Sequence, residues 1–407
     1  MNRNRINTAA FCTTILMAVY FLGPALLSID FLKPVKYYLQ DFDISDMYYS
    51  NIKFDTPDTN IILINTGNLS PYNISRNIEA VLKQNPAVIG YLNNIDLDMI
   101  SLDASKLRET IASDDRIVLS HPLAQDKDKQ KQIIEKNIDI YKKSGFGNLL
   151  FGKNKEYFTI RTFGPFYELG DVIYQSFAYQ VARSYNPKSA SELIARNNDF
   201  ERINFTGPQE SFFNIEPVNF EADTYAVADY NISFDNKIVL MGEMRQLANN
   251  KHSSRFDDIY FTPVTKSSVW DFNVPVMHNI VIQANIISTI INGKYINKQP
   301  LFTEYILMAL VAFFNCLFYI YLIEKTGGLN YLAGIIIMPL QTTLLVYFCF
   351  SLLESENFLF NINPALFAIP LSFFITEIIV RYIIPLYYKI TDGGDSLTKK
   401  RFLRRKK

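Results

Sequence analysis

The sequence predicts an α/β fold: an extracytoplasmic domain with a mostly parallel sheet flanked by helices, plus four transmembrane helices, one before the domain and three after it. Three observations point there. Four apolar stretches are long enough to cross a bilayer. Between the first two, short continuous apolar runs alternate with helical patterns. Lys and Arg are distributed unevenly around the apolar stretches.

Each stretch meets the roughly 20 helical residues that a ~30 Å hydrocarbon core requires. The first, Thr8 to Ser28, follows Arg3 and Arg5. It is longer than a signal-peptide core and no A-x-A site follows it, so an uncleaved signal anchor is expected. The others run from Thr303 to Ile323, Tyr331 to Leu353 and Ala365 to Tyr388, with Gly327-Gly328 marking a tight helical-hairpin turn. Lys399 to Lys407 hold seven basic side chains and no acid, whereas Glu354 to Pro364 has two acids and no base. Four spans put both termini on one side, and the positive charges make that side the cytoplasm. The expected organisation is therefore a cytoplasmic N-terminus and anchor over 1–29, a periplasmic domain over 30–300, three spans over 301–390 and a basic cytoplasmic tail over 391–407.

Within 30–300, Ile61 to Ile64 reads as a buried strand and Asn73 to Gln84 as a helix. Ala87 to Leu92 and Arg116 to Ser120 are further strands, with a helix over Asp103 to Ala112 between them. Phe158 to Phe163 alternates like a strand and precedes a helix over Asp171 to Tyr185. Arg202 to Phe205 and Lys237 to Met241 are strands, and His278 to Asn292 is a long amphipathic helix leading towards the second span. Continuous apolar runs suit a sheet covered on both faces, and strands alternating with helices favour parallel pairing. The charged stretch Gln125 to Lys143 reads as a solvated surface segment.

Composition narrows the function. The 407 residues are 49% hydrophobic and 14% aromatic, which excludes intrinsic disorder. Forty Lys and Arg balance forty Asp and Glu, so no global basic field suggests nucleic-acid binding. Segment 30–300 carries 28 basic and 33 acidic side chains and no cysteine. It has neither a disulfide framework nor a Cys-based zinc site, but is long enough to stand on its own core. No Walker, G-x-S-x-G, H-E-x-x-H or G-x-G-x-x-G pattern occurs. His121, His252 and His278 lack metal-ligand spacing, and a structural or surface role is expected of each. Asp114-Asp115 reads as a solvated loop. No enzyme activity, metal or cofactor is expected.

One constellation is more informative. Lys237-Ile-Val-Leu-Met-Gly242 is an apolar strand ending in glycine, where open α/β sheets place their ligand crevice. Glu243 follows, then Asp258-Ile-Tyr-Phe-Thr262-Pro263, and Gln283-Ala-Asn285 inside the long helix. The same pattern also describes a strand, a turn and a core helix with no ligand. In the fourth span, Glu377 and Arg381 are spaced to pair on one helical face; ionisable groups in a span suggest function, although Arg381 can also snorkel to the interface. Pro339, Pro370 and Pro385 are expected to kink or end their helices.

The order K-I-V-L-x-G, D-x-x-x-T-P, then I-x-A-N-I-I before membrane spans resembles the second class of CHASE domains, extracytoplasmic sensory domains of bacterial cyclases and kinases. Pro86 to Gly90, Arg116 to Leu119, Gly145-Phe-Gly-Asn148 and Ser176-Phe-Ala178 also fit, and the resemblance covers roughly 40–295. Gln283 stands where the family commonly has His, Asn65 where an acid is usual, and the region of Asn93 replaces a usual Asp. The resemblance implies a sensor whose candidate ligand-binding residues are Gly242, Glu243, Asp258, Thr262, Pro263, Gln283 and Asn285. After the fourth span about 19 residues remain, too few for an output domain. The expected protein is therefore an inner-membrane receptor-like molecule that signals to a separate protein partner. The alternative is a non-catalytic structural or assembly scaffold of an envelope complex. The expected partners are membrane lipid, which the basic tail could bind, the separate protein and a second copy of the chain; nucleic acid is not among them.

Overall fold

A computed structural model describes residues 3–26, 43–52, 54, 57–67, 69–92, 102–123, 128–131, 143–149, 159–215, 233–244, 258–265, 277–326 and 330–391. The expected basic tail, the Gly327-Gly328 turn, His252, Asn93 and most of Gln125 to Lys143 lie outside these residues. The chain divides into two compact units, Ser45–Ile296 and Met1–Ile44 with Asn297–Lys407.

The chain begins with α1 (Arg3–Leu26), and α2 (Ile44–Asn51) leads into the domain. There follow β1 (Asp58–Asn65), α3 (Pro71–Leu82), β2 (Val88–Leu92), α4 (Leu102–Ser113), β3 (Ile117–His121) and β4 (Ser144–Phe146). After α5 (Phe177–Tyr185) and α6 (Pro187–Arg196) come β5 (Phe212–Ile215), β6 (Ile238–Gly242) and α7 (Asn279–Ile291). The six strands form one sheet in the order β4-β3-β2-β6-β1-β5, and every neighbouring pair is parallel. Local chemistry starts the helices. Ser70 accepts a hydrogen bond from Asn73 N ahead of Pro71 at the first helical position of α3, and Ser176 does the same from Tyr179 N for α5.

Strand side chains alternate between the two faces. Ile62, Ile64, Ile89, Tyr91, Val239 and Met241 pack with Ile74 and Ile78 of α3 and Leu107 of α4. The opposite face receives α5 and α7. A Cβ added to Gly90 would lie 2.8 Å from both Leu240 Cδ2 and Phe177 Cζ, so this glycine sets how closely α5 approaches. Burial on both faces explains why β2 and β6 read as unbroken apolar runs and why β3 opens on Ile117-Val-Leu119.

The structure corrects three expectations. The helix expected over Asp171 to Tyr185 begins only at Phe177. Val172–Gln175 is instead a strand hairpinned with Phe166–Leu169 through Gly170, whose φ of 67° suits the turn. The strands expected over Phe158 to Phe163 and Arg202 to Phe205 shrink, among the described residues, to a two-residue antiparallel pair, Thr162–Phe163 with Glu201–Arg202. Finally, α7 is not amphipathic: twelve of its thirteen residues are buried, because it lies between β1 and β6 on one side and α5 and α6 on the other.

The second unit contains α8 (Leu301–Thr326), α9 (Asn330–Glu356), α10 (Asn363–Ile378) and α11 (Ile384–Thr391), the last two joined by a π-helical turn over Ile379–Ile383. Among the described residues, four helices, over Asn4–Gly23, Leu301–Lys325, Leu332–Glu356 and Asn363–Tyr387, are long and apolar enough to cross a membrane. Met308, Ala312, Cys316 and Ile320 line one face of α8 against Ala9, Cys12 and Leu16 of α1 and Ala368 of α10. Small residues at these positions let helix backbones approach closely, which stabilises association within lipid. Pro339 and Pro370 sit inside continuous helices and end neither of them. Pro385 cannot donate to the carbonyl four residues back, and the π turn that precedes it is where such a defect is accommodated. Glu377 and Arg381 form an ion pair one turn apart across the start of that turn.

Candidate functional site

The described helix after β1, α3, lies on one face of the sheet, and the described helix after β6, α7, lies on the other. Adjacent parallel strands that send their connections to opposite faces create a topological switch point, and the crevice opens at their carboxyl ends. In register, Asn65 stands opposite Gly242 and Gly242 opposite Leu92, so three strand ends form one row.

That row is stitched by the Asn65 side chain. Its Oδ1 accepts from Met244 N at 2.8 Å and Gly67 N at 3.0 Å, while Nδ2 donates to Met244 O at 2.9 Å. Thr66 N donates to Gly242 O at 2.8 Å. The Thr66 side chain is fully buried, yet its Oγ1 has no hydrogen-bond partner among the described residues. Gly242 is required by packing: a Cβ there would meet Ile280 Cδ1 and Leu92 O, each at 2.9 Å. Glu243 is half-buried beside it.

The amino end of α7 borders the same edge. Asp258, exposed and at φ 81°, accepts the Asn279 N–H on its carbonyl at 3.1 Å. Ile259–Tyr260 then pair antiparallel with Met277–His278. Thr262 is fully buried, and Pro263 opens a single 3-10 turn. Asn279 Nδ2 and Gln283 Nε2 both donate to Gly147 O, at 3.2 and 3.3 Å, and Gln283 Nε2 also reaches Asn279 Oδ1. Gly147 N in turn donates to His121 O at 3.0 Å. The His121 ring lies buried against Pro122 O and the Gln130 amide, and its burial lowers the imidazole pKa from the ordinary value, favouring the neutral ring.

Asn285 belongs elsewhere. Two residues on from Gln283, it faces the other side of α7. Its Oδ1 accepts from Thr206 N and Gly207 N at 2.7 and 3.1 Å, and its Nδ2 donates to Gly207 O and Val281 O at 3.0 and 2.8 Å. Of the residues expected from sequence, the structure therefore brings Gly242, Glu243 and Gln283 to the carboxyl edge. It sets Asp258, Thr262 and Pro263 on the segment leading to α7, and buries Asn285 as an internal tie.

Sequence reasoning passed over Thr66, Gly147 as an acceptor and Asn279. For Asn279 a signal existed: two polar pairs at i,i+4, Asn279 with Gln283 and Asn285 with Thr289, mark two different faces of a largely apolar helix. The amides, the Thr66 hydroxyl and the Glu243 carboxylate make this edge suited to hydrogen-bonding a small polar ligand.

No curated protein and no solved structure matches the chain. A family model, the CHASE2 domain, matches residues 43–319, well over half of the chain, taking in the unit Ser45–Ile296 and continuing into α8. The chain belongs to the CHASE2 domain family, whose members are extracytoplasmic sensory domains.

Proposed function

We propose that this protein is a non-catalytic, receptor-like protein of a bacterial inner membrane. Its periplasmic CHASE2 domain binds a small polar ligand at the carboxyl edge, and the signal passes to a separate protein partner. The observation that carries this reading is the course of α7. It begins at the crevice, where Ile280 touches Gly242 and Asn279 touches Gly147, and reaches the opposite edge, where Ser288 Oγ donates to Asp58 Oδ2 at 2.7 Å. Residues 292–300 alone separate it from α8. A ligand at the edge therefore meets an element joined by a short connection to an apolar helix. To shift that element it must bind one of two arrangements better; a tenfold preference supplies about 1.4 kcal/mol.

The orientation follows from the Lys and Arg pattern, with both termini cytoplasmic. Arg5 Nη2 pairs with Glu324 Oε2 at 2.6 Å, so the first turns of α1 meet the last turns of α8. Such an antiparallel pair suits two successive spans with a domain between them. Reporter fusions after Asn197 and at Lys407 should report opposite compartments, and identical compartments would end the receptor reading. For the ligand, the full chain in nanodiscs should melt higher with some fraction of periplasmic extract, and Gln283→Ala should lose that response. If no fraction shifts the wild-type melt, the reading as a structural scaffold of an envelope complex replaces this one.

A further inference from the structure

The chain enters the domain through α2 and leaves it through residues 292–296, and both passages are held by one short segment, Glu201 to Gly207. Asn204 is its centre. Asn204 Oδ1 accepts from the Tyr49 hydroxyl of α2 at 3.0 Å, while Asn204 Nδ2 donates to Lys294 O at 3.0 Å. Its backbone is fixed as well: Asn204 N donates to Thr289 Oγ1 at 3.1 Å, and the same hydroxyl lies 3.2 Å from Asn204 O. One side chain thus bridges the incoming helix and the outgoing strand of chain.

Flanking residues repeat the arrangement. On the incoming side, Arg161 makes a bidentate pair with Asp46 at 2.8 and 2.6 Å, Arg202 Nη2 donates to Ser45 Oγ at 3.1 Å, and the rings of Tyr49 and Phe205 meet edge-on at 5.4 Å. Arg161 is itself tied to the segment, since Ile203 N donates to Arg161 O at 2.9 Å. On the outgoing side, Arg196 stacks over the Tyr295 ring at 4.6 Å and is held there by Glu201 at 2.6 Å. Thr206 and Gly207 complete the grip through Asn285 and Ser288. The Asp46 and Glu201 side chains are 6% and 3% exposed. Freeing the incoming passage would part the buried Asp46 carboxylate from Arg161, which is strongly unfavourable, and freeing the outgoing one would strip Tyr295 from the Arg196 guanidinium.

We infer that segment 201–207 is a clamp that makes the incoming and outgoing passages of the sensory domain one mechanical element. A displacement of α7 is then delivered to both membrane connections together and cannot slide the outgoing one past the incoming one. What the clamp transmits rests on the receptor reading; whether it holds does not, and it can be tested without a ligand.

The test uses the full chain in nanodiscs, with the three native cysteines replaced and spin labels placed at Asn51 and Lys294, both exposed. Pulsed-EPR distances between the labels should form a single narrow distribution. Asn204→Ala removes the bridge, and Tyr49→Phe removes one hydrogen bond while keeping the ring against Phe205. Each should broaden the distribution, Asn204→Ala by about twofold or more, whereas a residue serving stability alone would lower the melting temperature and leave the width unchanged. An unchanged width in both variants overturns the clamp. Should Asn204→Ala fail to fold, Tyr49→Phe alone decides. Because no ligand is present, failure here leaves the crevice untouched, and failure to find a ligand leaves the clamp untouched.

Discussion

The two ends of the parallel sheet are built differently. At the amino end, Asp46, Glu201 and the Asn285 amide are each held by charge or by several hydrogen bonds at once. At the carboxyl end the ties seen among the described residues run between neutral groups: the Asn65 side chain joins two strand ends, two amides share Gly147 O, and the Thr66 hydroxyl has no partner among the described residues. A saturated group has nothing to offer a ligand without first losing what it holds, and a buried group left unpaired costs more than a hydrogen bond usually contributes. The amino end is thus the part that positions, and at the carboxyl end the buried Thr66 hydroxyl is, among the described residues, a group with capacity to spare.

The largest expected effect tests that contrast directly. Asn285→Ala would leave Thr206 N, Gly207 N and Gly207 O without the amide that serves them. At roughly 1–3 kcal/mol per orphaned buried group, with partial relaxation, the cost should be about 3 kcal/mol. Gln283→Ala should cost about 1 kcal/mol or less, because Asn279 Nδ2 still serves Gly147 O. Hydrogen exchange of the α7 amides in the full chain measures both. Equal losses would erase the distinction between the two ends.

Next comes Asn65→Asp, expected to cost about 2 kcal/mol at neutral pH. The carboxylate keeps an acceptor for Met244 N but sets its second oxygen against Met244 O, which the amide now approaches at 2.9 Å. A carboxyl held in that position would have its pKa raised on folding. Its stability contribution would then be present below the ordinary aspartate value and lost as pH rises. The melting difference between variant and wild type should therefore narrow from pH 7 to pH 4. A constant difference would mean that Asn65 acts by shape alone.

How much of this was legible in sequence depends on how local each cause is. Ile61 to Ile64 and Lys237 to Met241 announced buried strands because burial on both faces leaves an unbroken apolar run. Glu377 and Arg381 announced their pairing because four residues on a helix are neighbours wherever the helix lies. Strand order was not legible: β6 inserts between β1 and β2 although more than a hundred residues intervene. The Asn65 to Met244 tie, spanning 179 residues, depends on that insertion and was hidden with it. The hairpin at Phe166–Gln175 was missed for a local reason: Gly170-Asp171 is a turn signal that the helix reading overrode, and the exposed Val172 and Ile173 gave no burial pattern to oppose it. Gly242 was legible as a strand end, but its contact with Ile280 depends on tertiary packing.

A smaller effect concerns acid. Burial lowers the His121 pKa, so the unfolded chain binds that proton first as pH falls. The contribution is present above the unfolded value of about 6.5 and is lost as pH drops below it, at up to about 1.4 kcal/mol per pH unit. Melts of wild type and His121→Gln between pH 7 and pH 5 should converge as pH falls. Parallel curves would place the ring in contact with water and overturn its burial as the cause of the lowered pKa.

The smallest expected change is the most telling for that edge. Thr66→Val keeps the branched shape of the side chain and replaces only the hydroxyl, whose oxygen is fully buried with no partner among the described residues. Removing an unpaired buried hydroxyl relieves a desolvation cost, so the melt should stay level or rise, by at most about 1 kcal/mol. A stabilising loss of a polar group is the signature of capacity held unused by the fold. In the receptor reading that capacity serves a ligand, and Thr66→Val should weaken the response to the stabilising periplasmic fraction while leaving the unliganded domain intact. A destabilisation above about 1 kcal/mol would show instead that the hydroxyl has a partner within the folded chain. The carboxyl edge would then be as saturated as the amino edge, and the division of labour between the two ends of the sheet would fall.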